Sequence, residues 1–263
     1  TYTPVIPSSR FMAKMIDGVS IVDAVRDSSE RGLQHSVNQI QEQFANPRHR
    51  FETISSFNLL VEEIKDLVEE LKIDLIITGT KGASGIDEVF MGSNTVRIIK
   101  STERCPVLAI PQHFGYLAPR EIAFATDFNR FYTASELQPL LRLAKMFNAT
   151  IRVVHVQYKL KALSELQQFN LNMLRRYLKD AEHYVHTVSE LSSISHTLEI
   201  FTEELDIHLL ALLNYQHSYM EKMTREPVVK RTAFHTQIPL LVIPELGMNG
   251  VAASMEKQQA EPH

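Results

Sequence analysis

Gly79, Gly82 and Gly85, spaced three apart and followed by Gly92-Ser93, are the residues whose types and spacing could do chemistry. Glycine tolerates positive φ and lets the backbone itself come close to a ligand, and a tight turn rarely needs so many. Ser93 is a good helix N-cap, and Val96 and Ile99 follow at helical spacing. Backbone N–H groups at a helix start, with the dipole behind them, favour an anion such as phosphate. Lys81, Arg97 and Lys100 could add charge there, although a solvated helix face explains them more simply. The P-loop pattern with its Lys-Ser/Thr pair is absent, as is G-x-G-x-x-G, so neither P-loop phosphoryl transfer nor hydride transfer is supported.

The other chemistry-bearing residues form no pattern. Cys105, the only cysteine, precedes an apolar run and reads as a small buried hydrophobe rather than a nucleophile. His183, His186, His196, His208, His217 and His235 are numerous but lack a Cys or carboxylate pattern that would fix a metal. His183 and His186 stand three apart on a strand, hence on opposite faces. No Ser-His-Asp signature is present. We expect no metal site and no catalytic residue.

Composition agrees with a globular protein. The 263 residues are enough for two domains of ordinary size, and 44% apolar residues can supply their cores. A formal charge of −4 with no dense Lys/Arg block argues against nucleic acid. No apolar run is long enough to span a bilayer, the start has no signal-peptide pattern, and the single cysteine suits a reducing compartment. The expected location is the cytoplasm.

The elements that would position the glycines follow from periodicity. Residues 1–19, with Pro4, Pro7 and Gly18, read as a loop. A helix is expected from about Val25 to Phe44, a short strand at Phe51–Ile54, and a helix carrying Phe57, Leu60, Val61, Ile64, Leu67, Val68 and Leu71 on one stripe. Leu75–Thr78 is a β-branched run that enters the glycine loop, and Val107–Ile110 is a strand after the Ser93 helix. Beyond a linker at 112–119, strands are expected at Ile122–Ala125, Ile151–Val156, Tyr184–Val188, Ile207–Leu213 and Pro239–Ile243. Helices alternate with them. One is capped by the box Thr133/Glu136, a long one carries Leu163 to Ala181, and another runs from Ile194 to Glu204. Such alternation predicts a parallel sheet with helices on both faces.

The chain also repeats itself. LKIDLIIT at Leu71–Thr78 returns as ELDIHLLA at Glu204–Ala211, and CPVLAIP at Cys105–Pro111 returns as IPLLVIP at Ile238–Pro244, at one offset. On this ruler the second half has five strands, while the first half begins only after its second. Either the chain is part of a longer protein, or another chain supplies those strands. The halves are expected at 1–113 and 119–245, followed by a flexible tail at 246–263.

The spacing Gly79-x2-Gly82-x9-Gly92-Ser93 resembles the nucleotide-binding signature of the universal stress protein family, and Cys105-Pro106 before an apolar strand matches that family's usual ending. The resemblance implies an α/β fold of two tandem domains, each an open parallel sheet with helices on both faces, the first incomplete at its N-terminus. It implies ATP or AMP, with or without Mg, at the carboxyl ends of the strands, with slow ATP hydrolysis as the most that enzymatic activity would amount to. Gly79 and Gly82 would pass beneath the ribose and phosphates, and Gly92, Ser93, Asn94 and Thr95 would hold the phosphates. Thr78 would stand at the strand end. The family's adenosine-contacting Asp, at the end of the first strand, has no counterpart in the first half.

In the second half Asp127 stands where that Asp would be, but the glycine loop has become Asn214, Tyr215, Gln216, His217, Ser218 and Tyr219, with Arg225 and Glu226 near the place of Gly92 and Ser93. This half is expected to bind no nucleotide and to serve as scaffold, with Asp127 a loop or cap residue. The resemblance implies that the final strands of the halves pair around a pseudo-twofold axis, leaving homo-oligomerisation open. The function expected is a stress-response regulator that binds an adenine nucleotide and an unidentified protein partner. The other reading is an interaction or dimerisation module that binds no nucleotide.

Overall fold

The computed structural model describes residues 15–16, 19–80, 93–215, 219 and 237–246, without the side chains of 15–22 and 93. The expected tail beyond Leu246, the residues before Met15, and Arg225 and Glu226 lie outside the described residues. The chain divides into two compact units, 1–71 and 72–263.

In the first unit, β1 (Met15–Ile16) and β2 (Val19–Ser20) pair antiparallel, where the sequence suggested only a loop. Helix α1 (Ile21–Gln43) starts four residues earlier than its apolar period indicates, and α2 (Leu60–Glu70) carries the expected stripe. Ser55 Oγ donates to Ser29 Oγ at 2.8 Å, and the Arg26 guanidinium lies 5.4 Å from the Phe57 ring. Residues 51–54 form no strand. A strand exists by pairing, and Phe51–Ile54 meets no ladder partner among the described residues.

Among its described residues the second unit has seven strands: β3 (Ile76–Gly79), β4 (Val107–Ile110), β5 (Glu121–Ala125), β6 (Thr150–Gln157), β7 (His183–Ser189), β8 (Leu209–Asn214) and β9 (Leu240–Pro244). Their order is β3-β4-β9-β8-β5-β6-β7, and every neighbouring pair is parallel except β4 and β9. Helices α3 (Ser93–Ser101), α4 (Ala134–Phe147), α5 (Glu165–Tyr177) and α6 (Ile194–Glu204) connect them. Thr133 and Glu136 form the expected capping box, and Ser164 with Gln167 forms a second one at α5.

The antiparallel seam shows how the halves meet. Leu108 faces Leu241, Val107 faces Val242 and Ala109 faces Leu240. Leu108 and Leu241 are each fourth in CPVLAIP and IPLLVIP, so a local twofold passes between them. The other repeat is one residue out of step with the sequence reading. Ile76 N donates to Pro106 O, and its counterpart Leu210 N donates to Pro239 O. Left-handed residues Lys72 (φ 51°) and Asp206 (φ 48°) precede the two strands. The true counterpart of Leu71–Thr78 is therefore 205–212. Two apolar runs can be slid by one position until backbone geometry fixes them.

Alternation fills both faces of the sheet. Ile122, Phe124, Ile151, Val153, Ala211 and Leu241 pack with Leu137 and Leu140 of α4 and Leu171 and Leu174 of α5. Residues of opposite parity, including Ala123, Val154, Leu210, Leu212 and Val242, are equally buried. On that face His186 of β7 meets Phe201 of α6 edge-on at 5.3 Å. Cys105 is buried just before β4, and its Sγ donates to Ile73 O at 3.3 Å. Among the described residues no helix is long and apolar enough to cross a membrane.

Candidate functional site

In an open α/β sheet, ligands bind outside the carboxyl ends of the strands. The first-half glycines begin at such an end. Thr78 and Gly79 are the last residues of β3, and Thr80 N donates to Ile110 O of β4 at 2.9 Å. Ser93 opens α3, whose first turn holds no acidic residue, so its dipole meets an incoming anion uncancelled. Thr95, in that first turn, is buried, and its Oγ1 donates to Gly79 O at 2.8 Å. This bond ties the start of α3 to the end of β3. Asn94 beside it is exposed. Thr78, Gly79, Ser93, Asn94 and Thr95 thus belong to two element ends joined by a direct hydrogen bond. Gly82, Gly92 and the loop Lys81 to Met91 lie outside the described residues.

The second half presents the corresponding strand ends in another state. After β5 the chain turns through Asp127, whose Oδ1 accepts from Asn129 N at 3.0 Å, and Phe128 is left-handed at φ 57°. This turn is held from several sides. Gln167 Nε2 donates to Asp127 O at 3.0 Å, and Asn170 Nδ2 donates to Phe128 O at 2.8 Å. His155 Nδ1 lies 3.0 Å from Thr126 O, with its ring tilted on Phe128 at 4.8 Å. Asp127 also accepts a short hydrogen bond from Tyr215 Oη. Burial first, then the charge of Asp127, keeps the Tyr215 phenol protonated well above its usual range. Arg130 stacks over the Tyr215 ring at 5.1 Å and pairs with the fully buried Glu136 at 2.7 Å. The Glu136 carboxylate also accepts from Thr133 N and Leu246 N, so it is well partnered for a buried charge.

Sequence reasoning placed Asp127 and recognised that side chains replace the loop glycines, but missed what two of them do. Tyr215 closes on Asp127, and Tyr219 places its hydroxyl on both backbone polar groups of Val156 at 2.8 Å. Gln216, His217 and Ser218 lie outside the described residues.

Residues 18–111 match the sequence profile of the universal stress protein family. A universal stress protein of Methanocaldococcus jannaschii is 42% identical over 48 residues, which span 18% of this chain and 28% of that protein. A crystal structure of a universal stress protein from Archaeoglobus fulgidus superposes with a TM-score of 0.61 at 15% identity, covering 87% of this chain and 84% of the other. A Pseudomonas aeruginosa protein gives 0.56 at 13% identity over 87% and 83% of the two chains. These two likenesses speak for the fold alone. Residues 18–111 thus resemble the universal stress protein family in sequence, and most of the chain shares the fold of a solved universal stress protein.

Proposed function

We propose that this chain is a stress-response regulator that binds an adenine nucleotide, ATP or AMP, through its first-half glycine loop, with the second half as scaffold and pairing partner. The observation that carries this reading is the hydrogen bond from Thr95 to Gly79, which holds the α3 start against the carboxyl end of β3. The dipole and first-turn amides of α3, with no acidic residue in that turn, would favour an anion such as phosphate there. Gly79 and Gly82 would line the ribose and phosphates, Gly92, Ser93, Asn94 and Thr95 would hold the phosphates, and Thr78 would border the base. Binding would alter the surface offered to a protein partner. Calorimetry tests it: Gly92→Val should abolish ATP binding by blocking backbone approach, and unchanged affinity would refute the proposal.

The second reading is an interaction module without nucleotide. Asp127 and Tyr215, bonded to each other across the second-half crevice, favour it for that half. A folded protein that takes up no adenine nucleotide at millimolar concentration would extend it to the whole chain.

A further inference from the structure

Strand β7 ends one side of the sheet with an edge that carries none of the usual protections. It pairs with β6 alone, in an unbroken register along its whole length. Ile151 N donates to Glu182 O and Glu190 N donates to Gln157 O, so the even-numbered residues of β7 turn their backbone groups toward β6. The N–H and C=O groups of His183, Val185, Thr187 and Ser189 therefore point away from the sheet, and among the described residues no strand meets them. Thr187 and Ser189 are exposed. Long edges are ordinarily guarded by a lysine, a proline or a bulge. HYVHTVS holds no Lys, Arg, Asp, Glu or Pro, and none of its residues is left-handed. Tyr184 within the strand and Leu191 just after it are 47% and 53% exposed. At the opposite side of the sheet, β3 spans only four residues.

We propose that this edge joins two copies of the chain, β7 against β7, antiparallel across a twofold axis at Thr187. A strand edge is complementary to its own copy, because the twofold sets each outward N–H against an outward C=O. Axes at Val185, His186 and Thr187 all overlap most of the strand, and charge selects among them. An axis at His186 would set Glu182 opposite Glu190 of the second copy, and an axis at Val185 would set Asp180 opposite it. Like charges directly opposite each other are destabilising. With the axis at Thr187, the two threonines face each other, Val185 faces Ser189, the exposed Leu191 faces His183, and Glu190 faces the neutral Tyr184. No charge then meets a like charge. The edge lies on the other side of the sheet from β3 and makes no use of the glycine loop, so it stands apart from the nucleotide proposal.

The test uses the full chain in analytical ultracentrifugation and in disulfide trapping. Wild type should sediment as monomer and dimer, with the dimer fraction rising from micromolar to millimolar concentration. Thr187→Lys sets two ammonium groups face to face and should weaken the dimer about fivefold. A wild type that stays monomeric at millimolar concentration overturns the proposal and leaves the edge to a different chain. A dimer that Thr187→Lys leaves unchanged overturns it too, since the contact then lies elsewhere. Thr187→Cys reads the register. The native Cys105 is buried, so the new thiol is the one at the surface. Facing residues of a hydrogen-bonded antiparallel pair stand about 5.5 Å apart at Cα, within the span of about 4.4–6.8 Å that a disulfide bridges. In a glutathione redox buffer Thr187→Cys should form covalent dimers at least about tenfold faster than Lys179→Cys, because thiols held face to face react at a high effective concentration. Lys179 is exposed but is not set against itself by this axis. Equal rates for the two variants overturn the proposal.

Discussion

Tyr215 donates its hydroxyl proton to Oδ1 of Asp127 across the crevice between the ends of β8 and β5, from a position 88 residues along the chain. The crevice is the switch point of the second-half strands, since the chain runs from β5 to β6 and β7 on one side, then returns to β8 and β9 on the other. Where an open sheet of this kind would receive a ligand, the chain has placed its own phenol. Tyr215→Phe keeps the ring over Arg130 but removes the donor. We expect a loss of about 1.5–3 kcal/mol, the range for a hydrogen bond to a charged group, read from urea unfolding.

The seam between the halves gives a second prediction. Leu241 is fully buried and Leu108 partly so, and they face each other at the local twofold. Leu241→Ala should cost about 2–5 kcal/mol, and Leu108→Ala less, because less of its surface leaves water. The double variant should lose a different amount from the sum of the two, since facing residues share one cavity. Additive losses in urea unfolding would show that the pair does not act as a unit.

A third prediction concerns the lone cysteine. Burial pushes the Cys105 thiol up to about 11. The thiolate is the reactive form, so at pH 8 the native protein should be alkylated by iodoacetamide at least about tenfold more slowly than the unfolded chain. Equal rates with and without denaturant would mean that this region opens readily.

Acid stability gives the fourth. Nε2 of His186 is buried without a hydrogen-bond partner among the described residues, and burial, followed by the charge of Arg152, lowers its pKa below 6.5. The unfolded chain takes up a proton near the ordinary histidine value, whereas the folded chain resists it to lower pH. The unfolded state therefore binds more protons in that window, and stability falls as pH drops below about 6.5. His186→Phe should flatten the dependence of unfolding free energy on pH between about 5 and 7. An unchanged slope would assign the acid sensitivity to other groups.

What was legible in the sequence was what depends on near neighbours or on a repeated pattern. Runs such as Ile151–Val156 announced strands buried on both faces, and the Thr133/Glu136 box is complete within four residues. The repeated apolar endings at Leu108 and Leu241 announced the seam. Phe51–Ile54 looked like a strand because its residues favour one, but the described residues offer it no ladder partner. The one-residue slip of the 71–78 repeat was invisible until the left-handed Lys72 and Asp206 aligned the halves. At the candidate site, glycine spacing marked Gly79 and the start of α3. The bonds of Tyr215 to Asp127 and Tyr219 to Val156 left no local signal, because each spans more than sixty residues and starts from a stretch of sequence without periodicity.

The most direct test of nucleotide binding by the glycine loop is the mass spectrum of small molecules released by heating the protein purified without added nucleotide. An adenine nucleotide in near-stoichiometric amount, lost in the Gly92→Val variant, is the predicted result. A folded protein that releases none and takes up none when ATP or AMP is added at millimolar concentration would contradict it.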